Sequence, residues 1–238
     1  MFEAGDSAAE VVVLVHGIGV SERYFRPLGA ELATDRRVIA PDLPGFGRSP
    51  RPSRVPTVEE MASLVLRELE RRDVGSAVVV GHSMGAQVAA AMMHEAPQVV
   101  PRGVLIGPVV DPSGASVARQ AWRLARDTLH EPARANAAVV SDYLRAGPRW
   151  YSAVLPRMFA FDTRAAVSNL PGPVLVVRGQ HDHVCSRPWA RTLADAAPRG
   201  EMREVPGAGH VAMASDPRVV GRWVRQRVAN PVPESLAP

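Results

Sequence analysis

The chain has 238 residues, 46% of them hydrophobic and 22% charged, which is enough apolar material for one core of α/β size. All 28 of its basic residues are arginine, so Schiff-base, pyridoxal-anchoring, P-loop and general-base lysines are excluded from its chemistry. The net charge of +4 comes from arginines interleaved with 24 acids, with no basic run broken by aromatics, so no nucleic-acid partner is expected.

Residues 1–10 carry neither the basic region nor the apolar stretch of a secretory signal, and the expected location is cytoplasmic. The longest apolar runs, Val11–Val15 and Val88–Met93, are far too short to span a membrane. A single cysteine, Cys185, excludes an internal disulfide and a cysteine-cluster zinc site, and it reads as a packing residue.

In chain order, Val11–Val15 is a short β-branched run that reads as a strand buried on both faces. A helix follows from Ser21 or Glu22 to about Thr34, then a strand at Val38–Ala40. The loop Pro41–Ser49 and a Pro/Arg-rich linker at 50–56 come next. Thr57 is a suitable N-cap, with Glu59 and Glu60 in the first turn, for a helix carrying Met61, Leu64, Val65 and Leu69 to about Gly75. Ala77–Val80 is a strand, Ala86–His94 an apolar helix and Val104–Ile106 a strand. Val174–Val177 and Glu201–Val205 are the last strands, with helices at about 187–196 and 211–228 and a disordered tail at 230–238. Strands alternating with helices predict an α/β fold: a mostly parallel sheet of about six to eight strands, flanked by helices.

The alternation breaks between Asp111 and about Asn169, where helical patterns replace strands. This predicts a helical cap at 112–168 inserted into a core formed by 1–111 and 169–238. The segment holds half of the chain's aromatics, and Trp122, Tyr143, Trp150, Tyr151 and Phe159 are the candidates to line an apolar substrate pocket.

The chemistry centres on Gly81-His82-Ser83-Met84-Gly85, a G-x-S-x-G placed between strand and helix. A serine hydroxyl needs a base, and the base a carboxylate. His210 in Gly207-Ala208-Gly209-His210 is the candidate base. Asp182, just past the Val174 strand, is the candidate acid, with Asp111 after the Val104 strand its competitor. Asp111-Pro112-Ser113-Gly114 also reads as a turn into the insertion. His181 and His183 read as loop residues, not metal ligands, and no metal or cofactor site is expected. The developing oxyanion needs two N–H donors: Met84, at the start of the helix, and Ile18 in His16-Gly17-Ile18-Gly19.

These pieces resemble the α/β-hydrolase fold superfamily: His-Gly-x-Gly at 16–19, Pro-Asp-Leu-Pro-Gly-Phe-Gly-Arg-Ser at 41–49, Gly-His-Ser-Met-Gly at 81–85, Gly-Gln-His-Asp at 179–182 and Gly-Ala-Gly-His at 207–210. The resemblance spans residues 11 to about 228. It implies the triad Ser83, Asp182 and His210, oxyanion donors at Ile18 and Met84, a helical cap, and a structural role for Asp42. Two departures stand out. Only ten residues precede Val11, so the antiparallel pair that usually opens such sheets is expected to be absent or reduced, and Ala86 stands where relatives often have glycine.

The expected function is hydrolysis of an ester, thioester or lactone of a small, largely apolar molecule through an acyl-enzyme on Ser83. The alternatives are a C–C hydrolase, lyase or synthase, for which Arg123, Arg126, Arg145, Arg149 or Arg157 would hold an anion, and a ligand sensor on the same scaffold. The partner is a small-molecule substrate; neither nucleic acid nor membrane is expected. Oligomeric state is not legible.

Overall fold

A computed structural model describes residues 1–111 and 133–229. Seven strands form one sheet: β1 (Phe2–Ala4), β2 (Val11–Val15), β3 (Arg37–Ala40), β4 (Ala77–His82), β5 (Arg102–Ile106), β6 (Val174–Gly179) and β7 (Gly200–Val205). Their order is β1-β3-β2-β4-β5-β6-β7, and every pairing is parallel except β1 with β3.

The continuous apolar runs are explained by burial on both faces. Along β2, Val11, Val13 and Val15 enter one hydrophobic cluster, while Val12 and Leu14 enter the other. Strand β4 divides in the same way. The first cluster is closed by α2 (Val58–Glu70), α3 (Met84–Glu95), α5 (Thr163–Ser168) and α6 (Arg187–Ala196). The second is closed by α1 (Arg26–Leu32), α7 (Ala212–Ser215) and α8 (Pro217–Ala229). Thr57 caps α2 with a reciprocal capping box to Glu60. Helix α3 is buried almost all round, which its Ala- and Met-rich sequence permits.

Three features differ from the sequence reading. The N-terminal segment, to which the sequence reading assigns no element, supplies β1, pairing Phe2 with Ala40 and Ala4 with Val38, so the antiparallel pair is reduced to one strand. Three residues are too few for periodicity to register, yet an edge strand needs only one neighbour. The helix expected from 21 or 22 to 34 is a 3₁₀ turn at Glu22–Phe25 followed by α1. The helix expected at 211–228 is broken into α7 and α8, because Pro217 offers no N–H and pushes Asp216 out of helical geometry (φ −137°, ψ 80°).

Between β5 and β6, the described residues form α4 (Ala133–Ala160), bent at Gly147-Pro148, and α5. The bend follows from Gly147 at φ 70° and the missing N–H of Pro148. The turn expected at 111–114 lies beyond Asp111 outside the described residues, as does the tail expected at 230–238.

Candidate active site

Strand β4 runs at the centre of the sheet into Ser83, whose backbone takes φ 58° and ψ −122° before α3 begins. A non-glycine residue held there costs about 1–3 kcal/mol, which the surrounding packing must supply. Glycine is obligatory on both sides of the turn. A Cβ at position 81 would lie 2.1 Å from the Gly85 carbonyl oxygen, and one at position 85 would lie 2.1 Å from that of Val15. The reversal leaves the Ser83 side chain facing a cavity of about 100 Å³.

Two loops bring the other chemistry-bearing side chains to the same place. Asp182 follows β6. Its Oδ1 accepts the N–H groups of Val184 (2.9 Å) and Cys185 (2.7 Å), and its Oδ2 lies 3.0 Å from His210 Nδ1. A carboxylate there holds the proton of a neutral imidazole on Nδ1 and leaves Nε2 bare as an acceptor. The pair closes over Gly107 at the end of β5 (φ 53°), where a Cβ would come within 2.9 Å of the His210 ring and 3.1 Å of Asp182 Oδ2. Asp111 is buried and lines a separate cavity with Phe161, Arg164 and Trp189.

The loop after β2 passes against the nucleophile turn: a Cβ at Gly17 would lie 3.0 Å from Ser83 Cβ. Ile18 in this loop lines the cavity. Met84 opens α3, so its N–H is among the first-turn donors that have no intrahelical acceptor. His16 stands behind the loop, its Nε2 accepting the Leu43 N–H at 2.8 Å and its Nδ1–H donating to the Gly17 carbonyl at 2.8 Å. Burial lowers its pKa.

Of the aromatics expected at the pocket, Tyr143, Tyr151 and Phe159 line this cavity. Trp150 does not; its indole lies over the 41–49 loop, where a Cβ at Gly45 would come within 2.2 Å of Nε1. Trp122 lies outside the described residues. The Tyr143 and Tyr151 rings are 5.3 Å apart, and burial raises both phenol pKa values. Aliphatic side chains, among them Val20, Val109, Leu155 and Val184, supply much of the remaining lining. Arg145, Arg149 and Arg157 are exposed and line no part of the cavity, while Arg123 and Arg126 lie outside the described residues.

Three residues to which the sequence reading gives no role join the site. Arg178 on β6 is 5% exposed and donates to the backbone carbonyls of Asp182 (2.8 Å) and Cys185 (2.9 Å), and to the Glu204 carboxylate. A lone arginine in an otherwise apolar strand is the signal that marks it. Tyr24 and His82 also line the cavity and are hydrogen-bonded to each other. Burial pushes the Cys185 thiol pKa well up, so it is an inert thiol. For Asp42, burial alone would raise the pKa, but the N–H groups of Glu22 and Arg48 hold the carboxyl below its ordinary value, a loop-clamping role. Among the described residues, no three His, Cys, Asp or Glu side chains are grouped to hold a metal ion, and no helix is long and apolar enough to cross a membrane.

Residues 12–223 match the family model described as "Alpha/beta hydrolase family". The chain is 30% identical to the pimeloyl-[acyl-carrier protein] methyl ester esterase of Aromatoleum aromaticum, over 87% of this chain and 93% of that one. It is 38% identical over 99 residues to the dihydrolipoyllysine-residue acetyltransferase component of the acetoin cleaving system of Pseudomonas putida, where the match spans 42% of this chain and only 27% of that protein. Among solved structures it superposes on a thermophilic esterase from Thermogutta terrifontis with TM-score 0.83 at 23% identity, covering 95% and 91% of the two chains. The enol-lactonase from Burkholderia xenovorans LB400 gives TM-score 0.80 at 21% identity, covering 96% and 95%.

Proposed function

Because the chain belongs to the alpha/beta hydrolase family, we propose that it is a serine hydrolase cleaving an ester, thioester or lactone of a small, largely apolar substrate. The observation that carries this reading is the grouping of Ser83, at φ 58°, with a His210–Asp182 pair 3.0 Å apart around one small apolar cavity. Residues 112–168 are read as a cap over a core of 1–111 and 169–238.

In this reading His210 Nε2 takes the proton of Ser83 Oγ as that oxygen bonds to the substrate carbonyl carbon. The carbonyl oxygen becomes an anion held by the N–H groups of Ile18 and Met84. Collapse re-forms the carbonyl and expels the alcohol or thiol, which receives the proton from His210; in a lactone the expelled oxygen stays tethered to the acyl chain. Water, deprotonated by His210, then attacks the acyl-enzyme, releasing the acid and restoring Ser83. Asp182 keeps the imidazole in the Nδ1–H form and stabilises its transient charge. The uncharged lining favours neutral acyl groups. Ester and lactone chemistry is also named for two of the relatives.

Hydrolysis of short-chain p-nitrophenyl esters by the purified protein tests the reading. Ser83→Ala is expected to lower kcat by about 10⁴-fold or more. Activity that survives this substitution would overturn it.

A further inference from the structure

Along the cavity wall runs a buried chain of hydrogen bonds that links the three loops of the site. The Gly17 N–H donates to Tyr24 Oη at 2.9 Å, Tyr24 Oη lies 2.7 Å from His82 Nδ1, and His82 Nε2 lies 2.9 Å from the His210 carbonyl oxygen. Tyr24 and His82 are each 3% exposed, so water does not substitute for any member.

The proton positions follow from what each atom can do. A backbone carbonyl only accepts, so His82 Nε2 carries a proton. Burial, with the nearby His210 ring contributing, holds the His82 pKa well below its ordinary value, so the ring is neutral and Nδ1 is bare. Tyr24 must therefore donate its hydroxyl proton to Nδ1, and its oxygen is left to accept from Gly17. Every donor meets an acceptor in one direction only: Gly17 to Tyr24, Tyr24 to His82, His82 to His210. Burial raises the Tyr24 pKa, keeping the phenol protonated for this task.

We infer that Tyr24, acting through His82, is a positioning residue that sets the oxyanion loop against the nucleophile turn and the main chain of the base. The inference rests on the hydrolase reading above. The phenol oxygen fixes the Gly17 amide one residue before Ile18, whose N–H must meet an oxygen that carries full charge only after Ser83 attacks. A donor displaced by a fraction of an ångström binds substrate as before but stabilises the tetrahedral oxyanion less.

Tyr24→Phe removes one oxygen and keeps the ring. It is expected to lower kcat about 10- to 100-fold while KM stays within about threefold, because the loss falls on the transition state. The inhibition constant of an alkylboronate, which forms a tetrahedral adduct on Ser83, is expected to rise by the same factor as kcat falls. A merely structural role would lower Tm without moving boronate affinity. In the wild type, ¹⁵N spectra of the histidines are expected to show His82 as the neutral Nε2–H form across roughly pH 6 to 9. A Tyr24→Phe enzyme with unchanged kcat and boronate affinity would overturn the role while leaving the serine reading intact, as would a His82 ring found protonated on Nδ1. Hydrolysis undiminished in Ser83→Ala would overturn the serine reading itself, and this role with it.

Discussion

At the scale of single residues, the acid of the candidate triad is held from behind by a cation. Asp182 uses both carboxylate oxygens, but its loop is fixed by Arg178, whose guanidinium reaches the backbone carbonyls of Gln180, Asp182 and Cys185 and the Glu204 carboxylate. Removing it leaves buried acceptors without a donor, so Arg178→Ala is expected to lower stability by about 2–3 kcal/mol. A loosened Asp182 would also lower kcat. Arg178→Lys keeps the charge but loses the planar fork, so it should recover only part of either quantity. Thermal melting and steady-state kinetics on the two variants measure this; an alanine variant as stable and active as the wild type would rule it out. Arg178 and Tyr24 also mark the limit of what a linear reading yields. Ser83, Asp182 and His210 stand out in the sequence because each lies just past a strand and within three residues of a glycine, a local pattern. Tyr24 meets His82 across 58 positions, and no local pattern announces that contact.

At the scale of elements, the same division holds. Strands buried on both faces announce themselves as apolar runs, which is why β2, β4, β5 and β6 are legible to within one or two residues. Strand β1 has only one neighbour and too few residues for a pattern, and the break between α7 and α8 turns on Pro217 alone. How α4 meets the sheet is decided by tertiary contacts. Asp142 on α4 is buried and accepts from Ser21 Oγ at 2.5 Å and Arg23 Nη1 at 3.2 Å, both just after the loop at 16–19. On the same helix, Tyr143 reaches that loop, where a Cβ at Gly19 would lie 2.4 Å from its Cε1. Asp142→Ala strands the buried Ser21 hydroxyl, releases Arg23 to solvent and frees this end of α4. It is expected to cost about 1–3 kcal/mol and to raise KM more than it lowers kcat, because Tyr143 lines the cavity. Limited proteolysis within 133–160 should quicken. Unchanged KM and unchanged proteolysis would show that α4 is held by its apolar face alone.

At the scale of the whole molecule, two neutral histidines buried beside the sheet make stability depend on pH. His16 and His82 both have pKa values lowered first by burial, and His82 strongly so. An unfolded histidine takes up a proton near pH 6.5, whereas in the folded state His16 stays neutral below that and His82 well below it. Between the two pKa values the unfolded chain binds more protons, so stability rises with pH through that window and falls as the medium is acidified below about 6.5. Above 6.5 both states are neutral at these sites and the contribution is constant. Each histidine contributes a slope of about 1.4 kcal/mol per pH unit while only its unfolded form is protonated. The window lies above the ordinary carboxylate range, so the loss comes ahead of general acid denaturation. Denaturant unfolding at steps from pH 7.5 to 5, with proton uptake measured on unfolding, should find an uptake that grows as the pH falls below about 6.5. His82→Gln has no such ring to protonate and should take up one proton fewer. A stability that stays flat from neutral pH to 5 would mean that the two imidazoles are charged in the fold, which would also remove the acceptor to which Tyr24 donates.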